Sequence, residues 1–202
     1  MTGPPGPGAA AGRTEHRRLF FALWPSPAMQ QELAAAASAA LPGLPAGGRE
    51  VPARSLHLTL AFLGSVPEPA LARVRDAAAE ACRAYGALAG SGAAPHALGM
   101  TLDSIGHWRR PQVLCALPSE RPPGATALAE ALRRALTAAG LAPDPMPFRA
   151  HVTLARRVRQ GPPGAGQLSV TWTFRELSLV ESRTGPDGSS YSVIGSWPLC
   201  GA

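Results

Sequence analysis

The sequence contains no lysine: all 19 of its basic residues are arginine, against 13 acidic residues, for a formal net charge of +6. Only 16% of its 202 residues are charged, against about 25% in typical chains, which excludes a disordered polyelectrolyte. The positive charge attracts polyanions, and arginine binds phosphate in a planar, bidentate manner. Because alanine is also abundant, the charge alone does not separate a phosphate-bearing partner from a compositional bias.

Cysteine and long apolar runs are also scarce. Cys82, Cys115 and Cys200 lie far apart without CxxC spacing, which argues against a disulfide framework and a zinc site and suits a reducing compartment. No run approaches the roughly 18 apolar residues of a membrane span, and the first residues have no apolar core of a secretory signal. We therefore expect a cytoplasmic protein with no membrane partner.

The remaining pattern predicts a tail and one domain. Residues 1–17 are rich in glycine, proline and alanine, and we expect a flexible tail there and a single bilobal domain over residues 18–202. Hydrophobic periodicity and breaker residues predict the elements of the domain. The first half contains a strand at 18–24, a helix at 27–41 capped by Ser26, a strand at 55–64 ended by Gly64, and a helix at 68–90. Two strands follow at 96–105 and 111–117, joined by a turn at 106–110, and then a helix at 126–140 and a strand at 150–157. The last element is a hairpin of 172–184 and 191–197 with Asp187–Gly188 in its turn. This irregular order predicts an α+β fold with largely antiparallel sheets.

An internal repeat lies within this order. The tetrapeptides His-Leu-Thr-Leu at 57–60 and His-Val-Thr-Leu at 151–154 are 94 residues apart, and both are followed by alanine. The same offset relates Ala-Leu at 22–23 to Ala-Leu at 116–117. Each copy comprises a strand, a turn, an alanine-rich helix and the strand that carries the tetrapeptide. The repeat predicts two strand-helix-strand lobes related by a pseudo-twofold axis around a central groove.

The two tetrapeptides carry chemistry that fits such a groove. Alternation along a strand places His57 with Thr59, and His151 with Thr153, on equivalent faces. One imidazole can then act as general base and the other as general acid, while the hydroxyls donate to a tetrahedral anion. A lone strand histidine is more often structural, but the duplication favours catalysis. The site suits attack of water on a phosphodiester, and we expect neither a metal nor a cofactor.

A family resemblance extends this interpretation. The residues that carry it are RLFFAL at 18–23, HLTLAFLG at 57–64, GHWRRPQVLCAL at 106–117, PFRAHVTLAR at 147–156 and LVESRTGPDGSSYSVIGSWPL at 179–199. In these segments the chain resembles the two-histidine phosphoesterases, and within them the RNA 2′,3′-cyclic phosphodiesterases, historically also called 2′-5′ RNA ligase. The resemblance implies a bilobal α+β fold and hydrolysis of a terminal ribose 2′,3′-cyclic phosphate to a 2′-phosphate. Its partner would be RNA with such an end, or a cyclic nucleotide.

The resemblance also implies roles for individual residues. His57 would donate a proton to the leaving 3′ oxygen, His151 would accept one from the attacking water, and Thr59 and Thr153 would hold the phosphate. From the residues alone the two histidines could exchange roles, because the pseudo-twofold makes them nearly equivalent. Arg156 follows the second motif, as in family members, and would also bind phosphate. Strand alternation, however, places it on the face opposite His151 unless the strand ends or bulges first.

Three further arginines are candidates for contacting RNA. Arg109 and Arg110 stand beside Trp108 in the predicted turn at 106–110, where charge and stacking would suit a nucleic acid, although an exposed hairpin tip has the same composition. Arg149 precedes His151 by two residues and shares its predicted face.

Two other functions use the same groove. A 2′-5′ RNA ligase would run the reaction in reverse, joining a 5′-hydroxyl to the cyclic phosphate, but the high concentration of water favours hydrolysis. A non-catalytic module would bind RNA or a nucleotide without turnover, but such a protein is expected to lose a histidine or threonine, and here both motifs are intact. Nothing in the sequence demands more than a monomer.

Overall fold

Ten strands and three helices form the part of the chain that the structure, a computed structural model, describes: residues 15–41, 43, 48–90, 99–162, 167–185 and 188–199. The helices are Pro27–Ala40 (α1), Leu71–Gly90 (α2) and Pro123–Ala138 (α3). The strands are His16–Leu23 (β1), Arg49–Glu50 (β2), Leu58–Pro67 (β3), Gly99–Leu102 (β4), Ser104–Trp108 (β5), Val113–Leu117 (β6), Val152–Arg156 (β7), Val170–Thr173 (β8), Glu176–Gly185 (β9) and Gly188–Pro198 (β10). No helix within these ranges is both long and apolar enough to cross a membrane.

One large sheet organises the fold. Its strands follow the order β10-β9-β1-β3-β7-β6-β5, and β2 pairs with β7. Strands β4 and β8 form a separate two-stranded sheet. Every pairing is antiparallel. The predicted α+β class with antiparallel sheets is confirmed.

The two faces of the large sheet have different environments. On β1, alternate residues Leu19, Phe21 and Leu23 are fully buried and belong to the main hydrophobic core, which also contains residues of all three helices. The intervening Phe20 and Ala22 belong to a small second cluster on the other face. An antiparallel sheet commonly packs one face on a core and leaves the other for solvent or ligand. The second face is therefore the one available for a site.

The duplication predicted from the sequence is visible in the sheet. We call strands β1, β3, β9 and β10 the first lobe and strands β5, β6 and β7 the second lobe. Between β3 and β7 a single register pair, Leu58 with Val152, joins the lobes. These two residues are equivalent in the 94-residue repeat, and an antiparallel contact between equivalent residues is what a twofold axis produces. The two lobes also share a β-bulge, at Leu60 and at the equivalent Leu154.

Several boundaries differ from the predicted ones. Strand β1 begins at His16, two residues earlier than the predicted start of the domain. Strand β3 continues through Gly64, which does not end it: Gly64 has a φ of 68° and sits at a register shift against β1. A glycine in a left-handed conformation accommodates such a bulge, so the strand bends and continues.

Two predicted strands and one predicted turn also differ from those in the structure. The strand expected at 96–105 is divided at Asp103 into β4 and β5, which belong to different sheets; residues 96–98 lie outside the described part of the chain. Strand β5 extends to Trp108, so the hairpin turn is shorter than predicted. The strand expected at 172–184 is divided into β8 and β9. The hairpin that follows is present as β9 and β10, although Asp187 of its predicted turn lies outside the described residues.

Candidate active site

Four predicted site residues lie around the joint between the lobes. His57 and His151 immediately precede β3 and β7, and Thr59 and Thr153 follow one residue after the paired Leu58 and Val152. In an antiparallel register this pairing places His57 opposite Thr153, and Thr59 opposite His151. The paired residues are fully buried, whereas the four site residues are half-buried on the other face. The structure therefore brings both histidines and both threonines to one groove.

Two equivalent hydrogen bonds leave the same nitrogen of each imidazole available to a ligand. Nδ1 of His57 lies 2.7 Å from the carbonyl oxygen of Ser55, and Nδ1 of His151 lies 2.8 Å from that of Arg149. A carbonyl oxygen only accepts, so Nδ1 must carry the proton in both rings. Each Nε2 is then a proton acceptor when its ring is neutral and a donor when its ring is charged. The two rings are chemically equivalent at this atom.

An aromatic cage surrounds His57 in the first lobe. The indole of Trp24 stacks on the imidazole at 5.1 Å with an interplanar angle of 11°, while Tyr191 meets it edge-on at 5.1 Å and Phe20 lies 5.0 Å away. Burial here lowers the pKa of His57 from 6.5 to about 4. The hydrogen bond to Ser55 opposes this shift, and the positive charge of Arg156 adds to it. The neutral form of His57 is favoured in the unliganded protein.

His151 has a smaller aromatic neighbourhood. The indole of Trp108 lies 4.6 Å from its ring, and the guanidinium of Arg149 lies over that same indole, 4.9 Å from its centre. Burial lowers the pKa of His151 below 6.5, opposed by the hydrogen bond to the Arg149 carbonyl. The guanidinium charges of Arg149 and Arg156 lower it further. Both imidazoles therefore favour their neutral forms.

Arg156 is close to both histidines because of the second-lobe bulge. Strand β6 pairs Leu114 with Ala155 and Cys115 with Thr153, which leaves Leu154 as the extra residue. An extra residue reverses the alternation that follows it. Arg156 consequently returns to the face of Thr153, and its charge lowers the pKa of both His57 and His151. The bulge is the exception under which Arg156 was expected to share the face of His151 rather than lie on the opposite one.

A cavity of about 590 Å³ adjoins these residues. Thr59 and His151 form part of its wall, together with Trp108, Arg110 and Arg149. Two of the three further arginine candidates therefore line this cavity.

The third candidate, Arg109, lies elsewhere. It lines a different cavity beside His107 and Arg159. The structure thus places the adjacent Arg109 and Arg110 in different cavities, whereas nothing in the sequence distinguishes them.

Sequence reasoning missed the cage around His57. Trp24 follows β1 directly, and Tyr191 comes from β10, far along the chain. Trp24 corresponds to Pro118 in the second copy of the repeat, so the repeat gives no signal for it. The pairing of β1 with β3 places Trp24 opposite His57, and the pairings of β9 with β1 and with β10 bring Tyr191 there. Trp108 was visible in the sequence, but as part of a turn rather than as a neighbour of His151.

Two sequence comparisons show the family to which this chain belongs. A sequence model described as the 2′-5′ RNA ligase superfamily matches residues 25–186. The chain is 30% identical over 190 residues to the RNA 2′,3′-cyclic phosphodiesterase of Escherichia coli strain K12, covering 92% of this chain and 98% of that protein. The chain belongs to the 2′-5′ RNA ligase superfamily. The resemblance noted from the sequence is confirmed at this level.

Solved structures of proteins similar to this chain have the same fold. The crystal structure of E. coli LigT complexed with 3′-AMP superimposes with a TM-score of 0.70 at 28% identity, covering 92% of this chain and 99% of that one. A crystal structure of a Thermus thermophilus protein gives a TM-score of 0.65 at 29% identity, covering 91% and 98%. Because each match covers more than 90% of this chain, the similarity extends over both lobes.

Proposed function

We propose that this member of the 2′-5′ RNA ligase superfamily is an RNA 2′,3′-cyclic phosphodiesterase that produces a 2′-phosphate by metal-independent acid and base catalysis. The observation that carries the proposal is the matched pair of imidazoles on two strands that pair with each other: each Nδ1 is held by a carbonyl two residues earlier, which leaves both Nε2 atoms available to a substrate. The 30% identity to a protein of that activity supports the same substrate class.

The proposed reaction is a single in-line displacement. Nε2 of His151 takes a proton from water as the water oxygen attacks phosphorus, and the bond from phosphorus to the 3′ oxygen breaks. Nε2 of His57 donates its proton to that 3′ oxygen, so the product carries a 2′-phosphate and a 3′-hydroxyl. Exchange with solvent then returns the two imidazoles to their starting protonation states. An in-line displacement requires the general acid and the general base to lie on opposite sides of the phosphorus atom.

The remaining groups would stabilise the charge on the phosphate. Thr59 and Thr153 donate hydroxyl protons to its non-bridging oxygens, and Arg156 supplies a positive charge. The same phosphate favours the charged form of His57, because an anion beside an imidazolium raises its pKa. Binding of the substrate therefore loads the proton that the proposed donor must deliver.

One chain suffices for this reaction, since its own two lobes supply both histidines. A monomer is therefore part of the proposal. So is a cytoplasmic location, because Cys82 and Cys115 are free thiols, which a reducing compartment preserves.

The proposal is tested by mass spectrometry of the products from adenosine 2′,3′-cyclic phosphate. We expect the wild type to form adenosine 2′-phosphate and His57→Ala and His151→Ala each to lose at least about 100-fold in rate, the usual contribution of a general acid or base. His107→Ala removes a histidine outside the groove and serves as the matched control. Binding without turnover by the wild type would favour a binding module, and a 2′-5′-linked product in the presence of a 5′-hydroxyl RNA would favour a ligase.

The metal-independent step has its own test. We expect the rate to be unchanged after dialysis against excess EDTA, because proton transfer and hydrogen bonding by side chains need no Lewis acid. Within the described residues, no three His, Cys, Asp or Glu side chains cluster as ligands. A rate that falls on chelation and returns with Mg²⁺ or Zn²⁺ would contradict this part of the proposal.

A further inference from the structure

The cavity beside the catalytic residues is larger than a phosphate group needs. Its volume of about 590 Å³ lies within the roughly 300–1,000 Å³ of small-ligand sites. Thr59 and His151 line it together with Phe62 of β3 and Trp108 of β5. A substrate whose phosphate lies between the histidines would therefore have room for a further portion of its chain in this cavity.

The charged residues in the wall of the cavity are mostly basic, with four arginines and two acidic residues. Two of these arginines are already engaged. Arg121 forms an ion pair with Glu130 at 3.5 Å, and Arg133 donates to the carbonyl oxygens of Pro145 and Met146. Arg133 thus binds the backbone of a segment that lines the cavity, and both guanidinium groups already have partners within the protein.

The other two arginines remain available to a ligand. Neither Arg110 nor Arg149 forms a salt bridge with any carboxylate among the described residues. The guanidinium of Arg149 lies over Trp108, and Arg110 lies on the same wall. Unpaired arginines interleaved with aromatic rings are typical of sites for single-stranded nucleic acid. The remaining acid, Asp144, accepts a hydrogen bond from the backbone of Met146.

We infer that this cavity binds the nucleotide adjacent to the one that carries the cyclic phosphate, with a backbone phosphate against Arg110. The inference rests on the proposed function and extends it: the preferred substrate is an RNA strand rather than a mononucleotide. Because phosphate contacts position a strand without reading its bases, the preference depends on length and not on sequence.

The test compares kcat/KM for adenosine 2′,3′-cyclic phosphate with kcat/KM for a trinucleotide ending in the same group. We expect the wild type to favour the trinucleotide, and Arg110→Gln to reduce that ratio by about fivefold, the effect of losing one exposed phosphate contact. Arg109→Gln makes the same change in charge at the neighbouring residue, but in the other cavity. It should leave the ratio unchanged. The wild-type preference should also decline as salt is raised, since phosphate contacts release counterions.

Two results would overturn the inference while leaving the proposed function intact. One is a wild type that processes both substrates equally well. The other is an Arg110→Gln variant that loses activity toward both substrates by the same factor, which would mean that the cavity holds the terminal nucleoside itself. Hydrolysis of neither substrate by the wild type would instead contradict the proposed function, so the two failures are distinguishable.

Discussion

At the scale of single residues, the two histidines share a backbone arrangement but not an environment. Both rings are held by the carbonyl two residues earlier, yet His57 is stacked on Trp24 while His151 lies beside Trp108. Burial lowers both pKa values, and that of His57 falls to about 4. The positive charge of Arg156 contributes to both shifts, so this arginine opposes the charged form of either imidazole.

The pH dependence follows from these shifts. The proposed acid must be protonated and the proposed base neutral, so kcat/KM, which reports the free enzyme, should be bell-shaped with its maximum below pH 6.5. Above the pKa of His57 the protonated donor becomes scarce, and below the pKa of His151 the base is protonated. A profile that is flat between about pH 5 and 9 would contradict the two-histidine assignment.

Arg156→Gln tests the electrostatic link directly. Removing a positive charge favours the imidazolium, so the pKa of His57 should rise from about 4, and that of His151 should rise as well. NMR titration of the ring signals in the unliganded protein measures both changes without relying on turnover. Arg157→Gln, at the adjacent exposed arginine, is the control. Equal titration of the wild type and Arg156→Gln would show that Arg156 does not act on the histidines.

At the scale of elements, local signals identified the helices well. The predicted cap of α1 is present: the Ser26 side chain accepts a hydrogen bond from the backbone N–H of Met29 at 3.3 Å. We expect Ser26→Ala to lower the free energy of unfolding by about 1 kcal/mol and the Tm by about 2–4 °C. Ser38→Ala, at an exposed position inside the same helix, should be neutral or stabilising. Denaturant unfolding of the three proteins measures the difference, and equal stabilities would contradict the capping role.

Glycines in two elements should respond in opposite directions to the same change. Gly64 in β3 has a φ of 68°, where a Cβ atom is strained, so Gly64→Ala should cost about 1–2 kcal/mol. Gly86 lies inside α2 with open space around the site of a new Cβ, so Gly86→Ala should stabilise by about 0.5–1 kcal/mol. Thermal unfolding distinguishes the two. A neutral Gly64→Ala would mean that the bulge is not held in this conformation.

The limits of prediction lie in features that no short segment encodes. The repeated motif predicted that each histidine lies on the same strand face as its threonine, because strand alternation is local. The face of Arg156 could not be predicted, because the bulge at Leu154 arises from pairing with β6 and leaves no mark in the sequence. The stacking of Trp24 and Tyr191 around His57 likewise depends on strands that meet only in the folded sheet. The strand division at Asp103 was missed because apolar residues stand on both sides of it, although Asp103 and Ser104 interrupt their alternation.

At the scale of the whole molecule, the two lobes share one sheet and one core. Leu19 of the first lobe, Leu128 of α3 and Val152 of the second lobe belong to a single buried cluster. We therefore expect one cooperative unfolding transition. Far-ultraviolet circular dichroism and histidine NMR signals from His57 and His151 should change together as denaturant is added. Separate transitions for the two rings would show that the lobes unfold independently.

The contact between Leu58 and Val152 has a consequence for how the sequences of the two halves can diverge. Equivalent residues meeting across an axis form an isologous contact, the kind found between identical subunits. Identical subunits must carry the same residue on both sides, whereas a fused pair can differentiate. Here Phe62 stands where its counterpart is Arg156. Covalent fusion has therefore released the two halves from symmetry, so that one can specialise in surrounding its imidazole with rings and the other in supplying positive charge.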